Sequence, residues 1–166
     1  MLPFLRISDT IGNVKVAYMN TTTAQSIDRT LILKAPLDKV WNAVATPEGF
    51  AGWFLAKVEG EWKQGNSVVL NWPSGSKNEI VLSRIEPKEV FAYQWHPGDS
   101  YLVADLPVEE LTTVTMRLRE IPEGTELALT ETGFENIPEE RRLKVLGLNT
   151  EGWDEELENI RKYVEA

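Results

Sequence analysis

A period of two governs the middle of this chain, and a helix cannot satisfy it. Residues 56–63, 67–72, 79–85, 90–96, 112–119 and 125–132 read as six strands, separated by Gly, Pro and Asn at hairpin spacing. Strands of this kind wet one face and bury the other, so an antiparallel meander is expected, with a dry side that needs a cover. Another strand begins at Arg29 and is ended by Ala35-Pro36. Proline suits the first turn of the helix that follows, on which Leu37, Val40, Trp41 and Val44 share one apolar face. Trp41 is core on this reading. Thr46-Pro47-Glu48-Gly49 stops that helix, and Phe50, Trp53 and Phe54 belong to a second short helical turn. At the far end Trp153, Leu157, Ile160 and Val164 recur at spacings of four, three and four, the single stripe of a closing amphipathic helix.

Hairpin length fixes which residues share the dry side. Gln64-Gly65-Asn66 is a loop of odd length, pairing Trp62 with Val68 and Val58 with Trp72. Glu86-Pro87-Lys88-Glu89 pairs Ile85 with Val90, which sets Leu82 beside Tyr93 and Ile80 beside Trp95. The turn around Pro122-Glu123-Gly124 pairs Leu118 with Leu127, Met116 with Leu129 and Val114 with Glu131. The dry face therefore collects Val58, Trp62, Leu70, Trp72 and Leu82 from the first strands. Phe91, Tyr93, Trp95, Met116, Leu129 and the carboxylate of Glu131 continue it. One narrow helical stripe is a small lid for a curved sheet of six or seven strands. Either a ligand cavity lies between sheet and helix, or the large aromatics fill the space.

Composition narrows the chemistry. With 166 residues, 42% of them hydrophobic, one domain with a sizeable core is expected. Acidic residues number 26 and basic residues 17, and the net charge of -9 has the wrong sign for tracking nucleic-acid phosphates or an anionic membrane. Cysteine is absent, which excludes disulfides, thiolate metal sites and cysteine nucleophiles, and the only histidine is His96. No run approaches the roughly 20 apolar residues of a membrane helix. No segment reads as a targeting signal. These absences fit a cytoplasmic protein. Residues 1–27 differ in character and are expected to form an N-terminal extension, with Met19 available as a second start, ahead of a single domain of residues 28–166.

Several short motifs occur in a particular order. Ala35-Pro36 precedes Val40-Trp41, then come Pro47-Glu48 and Trp53-Phe54. Ile85-Glu86-Pro87 leads to Tyr93 and Trp95, followed by Val114-Thr115-Met116, Thr130-Glu131-Thr132-Gly133-Phe134 and Gly152-Trp153 with Leu157. In this order, residues 28–165 resemble the START-like SRPBCC superfamily, in particular the branch related to the activator of the ninety-kilodalton heat-shock protein ATPase. The resemblance implies an α+β helix-grip fold, a curved antiparallel sheet wrapped around a long C-terminal helix, usually with a hydrophobic cavity between them. Relatives bind lipids, steroids or polyketides, cyclise aromatic polyketides, sequester reactive compounds or stimulate a chaperone ATPase, and the fold does not choose among these. The branch often carries a histidine shortly before its Gly-Trp pair. Here that stretch reads Asn149-Thr150-Glu151, so no role resting on that imidazole carries over.

Among polar candidates Glu131 is the most informative. The simpler expectation is that its strand stops at Thr130, leaving Glu131 to cap a backbone amide near Gly133 or meet solvent. Should the strand run on, a carboxylate on the dry side could orient a ligand hydroxyl or amine, or act as an acid or base. His96 has the parity of the wet face and is expected as a surface imidazole. Arg84 shares the parity of the dry face, far from Glu131, and is expected to reach water near Ile85 along its apolar stem. Asp154-Glu155-Glu156 would lie in an early turn of the closing helix, where negative charge suits the dipole. Serine nucleophile elbows, zinc-protease signatures, phosphate loops and dinucleotide fingerprints are all missing from the sequence.

These observations lead to one expected function: binding of a hydrophobic or aromatic small molecule between sheet and helix, without covalent catalysis, cofactor or metal. Trp53 and Phe54 are expected at the cavity mouth, and Trp62, Trp72, Trp95 and Trp153 along its wall, with Tyr93 offering a hydroxyl. Leu70, Leu82, Met116, Leu129 and Leu157 complete that lining, and Glu131 closes one end. Two rivals remain: a cyclase- or hydrolase-like enzyme using Glu131 or His96, and an interaction module with a chaperone as its partner.

Overall fold

A computed structural model describes residues 26–166. The expected N-terminal extension lies outside them, apart from Ser26 and Ile27, which open the first strand. The elements are β1 (Ser26–Leu33), α1 (Leu37–Val44), α2 (Pro47–Phe54), β2 (Lys57–Glu59), β3 (Ser67–Asn71) and β4 (Lys77–Glu86). They continue with β5 (Val90–Trp95), β6 (Thr112–Ile121), β7 (Gly124–Thr132) and α3 (Glu139–Glu165). All the strands join one antiparallel sheet in the order β1-β7-β6-β5-β4-β3-β2. The long α3 runs across its dry face, as a helix-grip fold requires. Among the described residues no helix is long and apolar enough to cross a membrane.

Register follows the hairpin arithmetic where the turn is tight and departs from it where a glycine or a bulge intervenes. Leu118 opposes Leu127, Met116 opposes Leu129 and Val114 opposes Glu131, as expected. Leu82 opposes Tyr93, also as expected, but Ile85 faces Phe91 rather than Val90. A register shift between Leu82 and Arg84 absorbs the difference. That shift turns Arg84 outward beside Ala92, where it pairs with Glu86 at 2.7 Å instead of lying along the dry face. In the first hairpin Val58 faces Leu70, not Trp72. The strand expected over 56–63 ends at Glu59 because Gly60 takes a φ of 120°, open to glycine and strained for other residues. Trp62 thus leaves the ladder, does not pair with Val68, and donates its indole N–H to the carbonyl of Ala45 at 3.0 Å.

The helices seat as their patterns predict. Val40, Trp41 and Val44 of α1 are buried. Thr46 caps α2 by accepting from the Gly49 amide at 3.1 Å. Gly49 itself is fixed by packing, since a Cβ there would stand 2.1 Å from the carbonyl oxygen of Asn42. On α3 the stripe of Trp153, Leu157, Ile160 and Val164 is buried. This half is tied to β1 by Arg29–Asp154 at 2.7 Å and by Arg161 donating to the Ile32 carbonyl at 3.1 Å. The helix starts well before the stripe, at Glu139. Asp154-Glu155-Glu156 therefore lies in mid-helix and not in an early turn, so the dipole argument does not apply to it.

Candidate functional site

β7 runs through Glu131 to Thr132 because β1 pairs with it to the end, Ile27 facing Glu131 and Ser26 facing Thr132. The expectation of a strand that stops at Thr130 is thereby overturned. Glu131 points to the dry side and is fully buried. Its Oε1 accepts from Trp153 Nε1 at 2.8 Å and Asn149 Nδ2 at 2.9 Å. Its Oε2 accepts from Trp95 Nε1 at 2.9 Å and Thr112 Oγ1 at 2.6 Å. Donors from β5, β6 and α3 thus replace the water that this carboxylate loses on burial. Three of those partners can only donate, which fits the carboxylate form.

The anchoring has a geometric consequence. Trp95 and Trp153 are held by their N–H edges, with ring centroids 6.2 Å apart. Trp72 is held in the same manner, donating to Asn78 Oδ1 at 2.9 Å, while Asn78 Nδ2 donates to the Asp99 carbonyl at 3.2 Å. Phe54, the last residue of α2, meets Trp72 edge-on at 4.8 Å and lies nearly parallel to Trp153 at 6.4 Å. Two adjoining hollows open among these rings. The inner one, about 210 Å³, is bounded by Phe54, Trp72, Trp95, Trp153, Asn149 and Glu156. The outer one, about 440 Å³, shares Phe54, Trp72, Trp95 and Asn149 and extends over His96 and the 97–100 loop. A third hollow of about 590 Å³ lies away from the sheet, beside Lys39, Thr46 and Tyr163.

Of the candidates read from the sequence, Phe54, Trp72, Trp95 and Trp153 meet at this cleft, with Glu131 directly behind two of them. The others fill the interior. Leu70, Leu82, Met116 and Leu129 are fully buried, and Leu157 is buried on α3. Trp53 stacks on Phe54 at 4.9 Å and donates to the Ala43 carbonyl at 2.9 Å. Trp62 stacks on Phe91 at 5.6 Å. Phe50 sits at the centre of this packing, 5.7 Å from Trp62 and 5.9 Å from Tyr93. Sequence reading gave Phe50 no role beyond its helical turn, yet it plugs the middle of the concave wall and confines open space to one end.

Burial sets the titration of two groups here. The Tyr93 hydroxyl has no hydrogen-bond partner among the described residues. Burial, reinforced by the charges of Glu131 and Glu156, pushes its pKa well above the usual phenol value. Burial at the cleft rim likewise raises the Glu156 carboxyl, against a lowering hydrogen bond from Asn159 and with a further push from Glu155. His96 is not the expected surface imidazole. It is 1% exposed, its Nε2 lies 3.0 Å from the Val103 carbonyl, and its Nδ1 has no partner among the described residues. The long connection after β5, with short helical turns at 103–105 and 108–110, supplies the cover that its wet-face parity did not suggest. No group of side chains suited to hold a metal ion occurs among the described residues.

Three residues of the candidate site escaped the sequence reading. Asn149 binds Glu131 and accepts from the Gly98 amide at 3.0 Å, joining α3 to the loop over the cleft. Asn78 orients Trp72, and Glu156 borders the inner hollow. Helical spacing carried a signal for two of them. Asn149, Trp153 and Glu156 lie four and three apart, one face of a helix traced backward from the stripe.

A family model described as Activator of Hsp90 ATPase homolog 1-like protein matches residues 34–165. Comparison with curated proteins finds no match. Among solved structures, protein MLL2253 from Mesorhizobium loti is 21% identical, with a TM-score of 0.68 over 84% of this chain and 96% of that one. The Aha1 dimer from Colwellia psychrerythraea is 15% identical, with a TM-score of 0.67 over 84% of this chain and 96% of that one. DynU16, from the dynemicin biosynthetic locus, is 21% identical, with a TM-score of 0.66 over 86% of this chain and 48% of that one. At these identities the likeness is one of fold.

Proposed function

The chain belongs to the family of Activator of Hsp90 ATPase homolog 1-like proteins, and we propose that it binds a hydrophobic or aromatic small molecule, without covalent chemistry, in the cleft between Trp72, Trp95, Trp153 and Phe54. One observation carries this reading: three indoles are tied down by their N–H edges around space that no side chain among the described residues fills. Fixed rings bind flat or apolar groups at little entropic cost, because the rings need little ordering on association. The outer hollow, about 440 Å³, is of the size small-molecule pockets have, about 300 to 1,000 Å³, and the inner one that Trp153 borders, about 210 Å³, is smaller and suits one group of a ligand.

Enzymatic use of Glu131 is less well supported. Both of its oxygens are engaged, and it lies behind the rings rather than on the cleft wall. Stimulation of a chaperone ATPase is the second reading, and the family description supports it directly.

Titration with neutral aromatic probes, read by tryptophan fluorescence, tests the first reading. Saturable quenching is expected, lost in a folded Trp72→Ala variant, since Trp72 is half-buried and its removal leaves Glu131 satisfied. Quenching that survives in Trp72→Ala, or none in the wild type, rejects the cleft. Stimulation of a chaperone ATPase by the wild type and by Trp72→Ala alike would instead favour the second reading.

A further inference from the structure

We propose that the occupant of this cleft is an organic cation, a quaternary or protonated amine on an apolar body; the inference rests on the cleft being the ligand site. Aromatic rings make up most of the inner wall, with one carboxylate at its rim. The N–H edge is the positive end of an indole's charge distribution. In Trp72, Trp95 and Trp153 that edge is turned away and consumed by Asn78 or Glu131. Ring faces and hydrocarbon edges are what remain for a ligand, and ring faces attract cations.

Formal charge points the same way. The inner hollow is bordered by Glu156 and the outer by Asp99, and no Lys or Arg lines either one among the described residues. Nor does any Lys or Arg form an ion pair with Glu131 or Glu156 among those residues. Glu131 is thus compensated by dipoles alone, and its charge is left to act on the rings it holds. An anionic ligand would meet carboxylates without a single compensating cation. A cation would meet aromatic faces, a half-buried carboxylate at the rim and a chain whose net charge of -9 steers it inward. The inner hollow, about 210 Å³, has room for a head group of trimethylammonium size.

The test compares choline with 3,3-dimethylbutan-1-ol, which replaces the quaternary nitrogen by carbon and so differs in charge alone. Both are titrated at low ionic strength by tryptophan fluorescence and by calorimetry, beside the neutral aromatic probes. Choline is expected to bind about tenfold tighter than its carbon isostere or better. A Glu156→Gln variant should lose several-fold of that preference while its affinity for the isostere stays unchanged, and Trp72→Ala should abolish it. Equal or tighter binding of the isostere overturns the cation inference. So does choline binding that ignores both substitutions. If the aromatic probes bind and choline does not, the inference falls while the cleft stands as a ligand site. If no probe binds, both fall.

Discussion

A single carboxylate organises this site. Glu131 receives two indoles, a hydroxyl and an amide, and the orientation of the cleft walls depends on it. Glu131→Gln keeps shape and volume but replaces one acceptor oxygen by an NH₂ that faces donors. Urea denaturation should show a loss of about 3 kcal/mol, the usual cost of breaking a buried network with a charged member. An unchanged midpoint would show that those donors do not depend on the charge. Glu156 behaves in the opposite sense. Its carboxyl is raised above the ordinary 4.5 by burial, so folding favours the protonated form. Its contribution is full below that value and is lost as pH rises through the shifted one. Glu156→Gln, neutral throughout, should therefore melt at a higher temperature than wild type near pH 7, with the gap closing as pH falls toward 4.5. A gap that widens on acidification would contradict the assignment. How legible these residues were follows from their geometry. The parity of Glu131 could be read from the Pro122-Glu123 turn, because a tight hairpin propagates its register without slippage. The strand's end could not be read, since it depends on Ser26 and Ile27 pairing across the sheet. For His96 parity was the wrong guide, because a loop with no periodic pattern covers that face.

Elements bounded by tight turns were readable, and elements ended by a glycine or built against their own propensity were not. β6 and β7 match their expected pairing residue for residue, whereas β2 stops early at Gly60 and β4 carries a shift beside Ser83. α3 was legible only in its C-terminal half. Its first half contains Gly147, Asn149, Thr150 and Gly152, poor helix formers that hide the 3.6-residue period, and Val145 is its only buried residue before Trp153. Gly147 and Gly152 both face open space, so an added methyl meets nothing. Gly147→Ala and Gly152→Ala should each stabilise the protein by about 1 kcal/mol through reduced backbone entropy of the unfolded chain. They should differ in function. Gly147 is exposed, while Gly152 borders the inner hollow, so only Gly152→Ala should weaken ligand binding in the fluorescence titration. Equal effects on binding would separate the ligand site from this helix face.

Across the whole molecule the interior has two unlike ends. Around Phe50 the rings of Trp62, Phe91 and Tyr93 close on one another, and this end behaves as core. Around Trp95 the rings are held by polar anchors and leave a hollow between them, and this end is open. The tether of α3 follows the same division. Its C-terminal half is bound to β1 by an ion pair, by Arg161 and by Glu165 accepting from the Lys34 amide at 2.8 Å. Its first half is joined to the rest by the Arg141–Glu110 ion pair and, near the cleft, through Asn149, which connects Glu131 to Gly98. Local stability follows buried contacts, so amides of residues 139–152 should exchange faster than those of 153–164 in the free protein. A ligand held in the cleft couples to that difference. At 100 times its dissociation constant it stabilises the fold as a whole by about 2.7 kcal/mol, which slows exchange limited by global unfolding in β1 and β7. Exchange through local opening responds only where the ligand touches. Mass-resolved hydrogen exchange should therefore show added protection concentrated in 97–101 and 145–156. Protection confined to slow core amides, with these segments unchanged, would mean that the ligand binds elsewhere. Protection of the segment 139–148 alone, on addition of a chaperone instead of a small molecule, would shift the functional surface from the cleft to the outer face of this helix.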